Sequence, residues 1–396
     1  MSGLNETPAY DPVNLLSVFP KSVPEVFFVG LRWPQHAKVS GYDAIVPHLG
    51  TPIDLPIRDR WPWKDASDVR IQPRLRYWFT EKISLLLERW VKPTYSLPLL
   101  RMELAVARHM LFRRGTVYHV LYGETDVCLL GHLGRLTGNH VIASFHDGRD
   151  VLEGCGVSGR ILRSLSCIVL LGECQKEFFL EHVSESKIHV VPHGVDTEYF
   201  TPGAPRIERT NTSKDQPIVL TVGGHTRDHV TLAKVFDIVH QNVPAARFVA
   251  VSVNLGNKGT RLSGAKVEHL TGISDEELRD LYQQAAVAVF SFTYAVANNS
   301  ILEAMACGTP VVATDIGAVP EYVRPGAGLL APFADADAMA AKVIGIIQSE
   351  RSAAELTLCA RTTAETFSLP KIRDALRNVY CNIGSPVKNN QKRTLT

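Results

Sequence analysis

Apolar and polar positions change period along this chain in a regular way. Short apolar runs suited to buried strands recur at 25–30, 117–121, 140–145, 167–171, 187–191, 218–222, 247–253, 267–269, 287–290 and 311–314. Between several of them, at 125–136, 157–165 and 174–182, the spacing turns helical. Strands alternating with helices predict βαβ units and a parallel sheet, whose strands read as continuous apolar runs because helices cover both faces. The alternation breaks at the polar, turn-rich stretch GAPRIERTNTSKDQ, residues 203–216, and restarts at Ile218. That break predicts a linker between two α/β units, and 396 residues exceed what one core usually holds.

One amphipathic stretch has two readings. RLRYWFTEKISLLLERWVK, residues 74–92, puts Leu75, Trp78, Phe79, Ile83, Leu86, Leu87 and Trp90 at helical spacing, with Arg74, Arg76, Lys82, Arg89 and Lys92 around them. It is either an internal packing face or a basic helix for peripheral contact with an anionic membrane. Residues 45–70, rich in Pro, Asp and Arg, read as irregular.

Composition narrows the function classes. With 45% hydrophobic and 21% charged residues the chain reads as soluble and globular, and a net charge of +2 gives no field that would draw nucleic acid. Seven cysteines without metal-ligand spacing suit reduced thiols. No signal peptide or spanning segment is expected, so the expected place is the cytoplasm, including the inner face of the membrane.

The chemistry concentrates in FTYAVANNSILEAMACGTPVVATDIGAVPEYV, residues 292–323. Ser300-Ile301-Leu302-Glu303 fits a capping box, with Ser300 capping the first turn and Glu303 reaching back to it. Gly308 suits a left-handed cap and Pro310 stops the helix; a strand follows at 311–314, and Glu321 reads as a helix-start residue. A helix start that leaves a polar loop, here Asn298, Asn299, Ser300 and Ile301, offers unpaired N–H groups to an anion. His146 and Asp147 follow the strand ending in Phe145, at the carboxyl end where α/β sheets hold ligands. Gly41 lets a backbone come close to a ligand. Asp335-Ala336-Asp337 spells an Asp-x-Asp metal motif, yet it precedes an Ala-rich helical run and reads as a helix cap. Neither a Walker A pattern nor zinc-type spacing occurs, so NTP hydrolysis and metal hydrolysis find no support.

LEAMACGTPVVATDIGAVPE closely resembles the donor-binding signature of the family 4 retaining nucleotide-sugar glycosyltransferases. Further matches are Val191-Pro192-His193-Gly194-Val195-Asp196 with Phe200 and Pro202, Leu270-Thr271-Gly272 with Glu277-Leu278 and Leu281-Tyr282, and Ser40-Gly41-Tyr42-Asp43. The resemblance implies the GT-B fold, two Rossmann-like domains facing a cleft. Residues 1–202 would form the acceptor side, 203–216 the linker and 217–370 the donor side, with a last helix at about 371–384 crossing back to the first domain. It further implies metal-independent, cofactor-free transfer, with retention, from a nucleotide diphosphate sugar to a sugar or lipid-linked acceptor, such as a glycolipid or cell-surface polysaccharide precursor.

By the same resemblance Glu303 holds the nucleotide ribose, a reading that stands beside the capping one. His146 with Asp147 lies at the donor sugar, Gly41 faces the donor phosphates and the acceptor, and His193 closes the cleft near the interdomain loop. Gly224, Asn298, Asn299, Ser300 and Ile301 line the donor. Two departures matter. Ala295 stands where the family carries a sugar-holding carboxylate, eight positions before Glu303, and Gly224 and His229 stand where an Arg and a Lys grip the diphosphate. Arg227, in the same loop, is the candidate substitute; the other reading is a surface Arg paired with Asp228. The departures leave open a non-catalytic nucleotide- or sugar-binding protein of the same fold, or another GT-B enzyme such as a phosphorylase or epimerase.

Overall fold

The computed structural model describes residues 24–29, 42–49, 51–52, 92–93, 95–203, 216–251, 265–324 and 326–383. Gly41, the stretch 74–91 and most of the expected linker lie outside them. Among the described residues the chain builds two six-stranded sheets, parallel throughout. The first contains β1 (Val26–Val29), β2 (Thr51–Pro52), β3 (Val117–Val120), β4 (His140–Phe145), β5 (Cys167–Leu170) and β6 (Ile188–Val190), in the order β2-β1-β3-β4-β5-β6. The second contains β7 (Ile218–Val222), β8 (Arg247–Val251), β9 (Val267–Leu270), β10 (Val287–Phe290), β11 (Val311–Thr314) and β12 (Leu329–Ala331), in the order β12-β11-β10-β7-β8-β9.

The apolar runs are strands because both faces are covered. On one face of the first sheet, Met102, Val106 and Met110 of the Leu97–Leu111 helix pack on Tyr118, Val120 and Val141. On the other, Leu369, Ile372, Leu376 and Tyr380 of the Leu369–Asn382 helix pack on Val26, Phe28, Ile142 and Val169. The last helix therefore closes the first sheet although it follows the second in sequence. His119 fixes the contact, its Nδ1 2.7 Å from the Tyr380 hydroxyl and its Nε2 2.7 Å from Ser144 Oγ. No helix among the described residues is long and apolar enough to cross a membrane.

Some expected elements differ, for local reasons. The single helix at 125–136 is broken into Gly123–Asp126 and Leu130–Thr137. Buried Glu103 accepts from the backbone N–H of Cys128, Leu129 and Leu130 at 2.8, 2.7 and 3.1 Å, so a carboxylate from another helix starts the second piece. The helix at 174–182 opens as a 3-10 turn, Glu173–Gln175. Lys92, read as a basic flank of the amphipathic stretch, is buried and donates to the carbonyls of Glu124 and Val127 at 2.9 and 3.3 Å. Short β2 and β12 carry no apolar run long enough to be read.

His119 makes the fold acid-sensitive. Burial, with a smaller push from nearby His146, lowers its pKa from 6.5 to about 3. Below pH 6.5 the unfolded chain takes a proton that the native state refuses, so the contribution to stability is full above that pH and shrinks as pH falls, by about 1.4 kcal/mol per unit. Urea unfolding should therefore lose about 2 kcal/mol through this residue between pH 6.5 and 5. The His119→Gln variant should show a correspondingly shallower pH dependence.

Candidate functional site

Read as β9-β8-β7-β10-β11-β12, the second sheet is doubly wound, and its strand order reverses between β7 and β10. The crevice at that reversal, outside the carboxyl ends, is where such sheets hold ligands. Two loops leave the strands there and are laced together. Asp228 N donates to Ser291 O and Thr293 N to Thr226 O, both at 2.9 Å, and Arg227 bridges Phe292 in antiparallel fashion. The lacing holds Thr226, a β-branched residue, at φ +56, a strained conformation.

The strained turn directs Arg227 inward, to 7% exposure. Its guanidinium lies 4.4 Å from the Phe292 ring centroid and 5.5 Å from that of Phe290. Nε and Nη2 donate to Val222 O at 3.2 and 2.6 Å, and Nη1 donates to His225 O at 3.4 Å. Among the described residues no carboxylate forms a salt bridge with it, and two of its five N–H donors make no bond. Burial lowers its pKa to about 10, which still leaves it charged at neutral pH. The surface pairing with Asp228 is thereby corrected: Asp228 instead caps the His229–Asn242 helix, accepting from Thr231 N at 3.0 Å and Thr231 Oγ1 at 2.6 Å.

Arg227 adjoins the start of the Asn299–Ala306 helix, since a Cβ built on Gly223 would lie 3.0 Å from its Nη2 and 3.9 Å from Ser300 Oγ. Gly224 is the next residue of the same turn. The expected capping box is absent from this helix. Asn298 is the N-cap, its Oδ1 accepting from Ile301 N at 3.3 Å, which commits the Ile301 donor and leaves those of Asn299 and Ser300 outside the cap. Asn298 prevails over Ser300 because it stands two residues earlier, with extended backbone. Glu303, 4% exposed, accepts from the Tyr282 hydroxyl at 3.0 Å instead of reaching back to the cap. Asn299 Oδ1 is buried without a hydrogen-bond partner among the described residues. Gly308 ends the helix with φ +69, and Asp335 caps the Ala336–Gln348 helix through Ala338 N at 2.9 Å, both as expected.

The first sheet contributes the opposing wall. His146 and Asp147 follow β4, with the His146 ring stacked on Tyr122 at 4.7 Å and 6.4 Å from the His193 ring. Burial and the neighbouring Glu124 raise the Asp147 pKa, while His146 and His225 pull it back; His225 belongs to the Arg227 loop. Buried His193 is held down to about 3, chiefly by desolvation. Gln175 braces this wall, donating to the carbonyls of Phe145 and Asp147 at 3.0 and 2.9 Å.

Contacts not legible in the sequence join the walls. Glu321 lies in a short helix, Val319–Tyr322, and its carboxylate accepts from Glu173 N at 3.0 and 2.9 Å and from Cys174 N at 3.4 Å. The Tyr322 hydroxyl donates to Leu171 O at 2.7 Å and accepts from His193 N at 2.9 Å. Gly148 and Gly172 are glycines by necessity, because a Cβ would run into the Tyr294 hydroxyl at one and Ala318 at the other. A polar residue after a strand is a readable signal, and it would have found Glu124 beyond β3 as it found His146 beyond β4.

Tyr322→Phe should remove one acceptor and one donor from a buried interdomain bond pair. The expected cost is about 1–3 kcal/mol in denaturant unfolding. A change within 0.5 kcal/mol, about the size of an ordinary surface substitution, would mean that the seam does not depend on it.

Comparison with known proteins adds three findings. Residues 216–349 match the family model described as Glycosyl transferases group 1. Over 229 residues the chain is 31% identical to the D-inositol 3-phosphate glycosyltransferase of Mycobacterium avium, covering 52% of each, and over 212 residues it is 32% identical to the MMP alpha-(1->4)-mannosyltransferase of Mycolicibacterium hassiacum, covering 50% of this chain and 49% of that one. The chain thus matches about half the length of these curated relatives. A crystal structure of Anabaena HepE in complex with UDP superposes with a TM-score of 0.62 at 15% identity, covering 90% of this chain and 99% of that one. At that identity the likeness concerns the fold.

Proposed function

Because the chain carries a Glycosyl transferases group 1 domain on a GT-B fold, we propose that it moves a sugar from a nucleotide diphosphate sugar to an acceptor, with retention and without a metal. The observation that carries this reading is Arg227. A buried cation with carbonyl and aromatic neighbours, beside a helix N-terminus, is arranged for an anion that arrives with its own charge. The departing diphosphate is such an anion, and donors already oriented toward it stabilise its developing charge without reorganising. The two uncommitted guanidinium N–H groups suit bidentate contact with phosphate oxygens. Glu303 would then take the ribose hydroxyls, His146 with Asp147 the sugar, and Gly41 the phosphates.

Ala295 leaves the sugar without the family's carboxylate. Asn299 Oδ1, the buried acceptor described above, is the replacement we favour for one sugar hydroxyl. The acceptor would be a sugar or a lipid-linked sugar on the side of the first sheet, with the stretch 74–92, apart from its buried Lys92, as the contact with the inner face of a membrane. The mannosyltransferase and inositol phosphate glycosyltransferase activities named for the relatives fit this class of reaction.

Release of nucleoside diphosphate from a panel of nucleotide sugars tests transfer, and turnover should persist in EDTA. Loss of turnover restored by magnesium or manganese would overturn the metal-free mechanism. Tight nucleotide binding with no turnover on any donor and acceptor pair would favour the non-catalytic binder that Ala295, Gly224 and His229 leave open.

In calorimetric titration Arg227→Ala should weaken nucleoside diphosphate binding by about 1.5–3 kcal/mol and leave nucleoside binding nearly intact. Equal losses for both ligands would remove Arg227 from the phosphate site.

A further inference from the structure

The turn after β3 presents a buried carboxylate to His146. Glu124, in the short helix Gly123–Asp126, has Oε1 3.3 Å from His146 Nδ1, and its Oε2 accepts from the backbone N–H of the same histidine at 3.3 Å. One carboxylate thus meets both the ring and the main chain of a single residue, while Tyr122, two positions earlier, stacks on that ring. The Lys92 ammonium grips the Glu124 and Val127 carbonyls and so pins the turn from behind. At 3.3 Å the ring contact is an ion-pair approach whose geometry falls short of a hydrogen bond, a misalignment common at catalytic sites before substrate binds.

We propose that Glu124 is a positioning residue for His146, holding the proton of the neutral imidazole on Nδ1 and leaving Nε2 as the ring's acceptor. An ionised carboxylate only accepts, so the contact selects the tautomer that carries Nδ1–H. In the transferase reading, on which the consequence for turnover rests, an Nε2 acceptor receives a hydrogen bond from a hydroxyl of the donor sugar; the other tautomer would present N–H there instead. The same carboxylate on the backbone N–H fixes where β4 ends and hence where the ring starts.

The tautomer is read without any substrate, by long-range proton–nitrogen correlation on protein carrying nitrogen-15 histidine. The His146 signal is assigned by its loss in His146→Gln. The wild type should show Nδ1–H, and near-isosteric Glu124→Gln should move the signal toward a tautomer mixture. An Nε2–H ring in the wild type, or an unchanged spectrum in Glu124→Gln, overturns the proposal. In turnover, Glu124→Gln should lower kcat about tenfold with the donor KM within about threefold, and Glu124→Ala should lower kcat further. A thermal melt checks that each variant is folded. Unchanged kcat in a folded Glu124→Ala would leave the carboxylate a packing group and end the proposal. If no nucleotide sugar turns over while the tautomer responds to Glu124, the transferase reading fails and the positioning role stands.

Discussion

A guanidinium taken out of water and given carbonyl oxygens and aromatic faces for company is the interaction on which the second sheet's rim depends. Desolvating an ion that no carboxylate among the described residues pairs with is costly, and the carbonyl of Val222 and the ring of Phe292 return only part of it. Arg227 holds that position because its backbone has little choice. The strained Thr226 turn and the pairing with Ser291–Thr293 deliver the side chain inward, and the start of the Asn299–Ala306 helix lies within reach. The loop geometry, the ladder between the loops and the helix cap at Asn298 are parts of one arrangement.

The opposing wall is built by a different device. Its polar groups are oriented by neighbouring side chains: Glu124 and Tyr122 at His146, Gln175 at the β4 and β5 ends. The walls meet through Glu321 and Tyr322 on one flank and through Tyr294 against Gly148 on the other. These contacts join main-chain groups of one half to side chains of the other, so the seam is specified by hydrogen-bond geometry as well as by apolar packing.

How far the sequence revealed this depended on whether a feature was local. Buried parallel strands were legible as apolar runs, and Gly308 and Asp335 announced their caps. The helix start at 298 was misread because Ser300 and Glu303 satisfy the capping-box spacing while Asn298, equally able to cap, precedes them; the true partner of Glu303, Tyr282, comes from another helix. The same applies to Glu103, which breaks a helix from a distance of 25 to 27 residues. Arg227 was legible as a candidate, but its burial follows from a turn conformation that no residue pattern encodes. The resemblance supplied the roles expected of Glu303 and His146, and neither periodicity nor spacing could have.

The helix Leu369–Asn382 gives the chain an order of completion. One face of the first sheet, with Val26, Phe28, Ile142 and Val169, is covered in part by Ile45 and Leu49 and otherwise by residues made after the entire second sheet. On the ribosome the first half therefore emerges with an apolar face and His119 open to water. It waits through the synthesis of its neighbour, the kind of exposure that invites aggregation or chaperone capture. The second half buries its own core before it is released, so folding runs against the direction of synthesis, and the part made first is the part finished last.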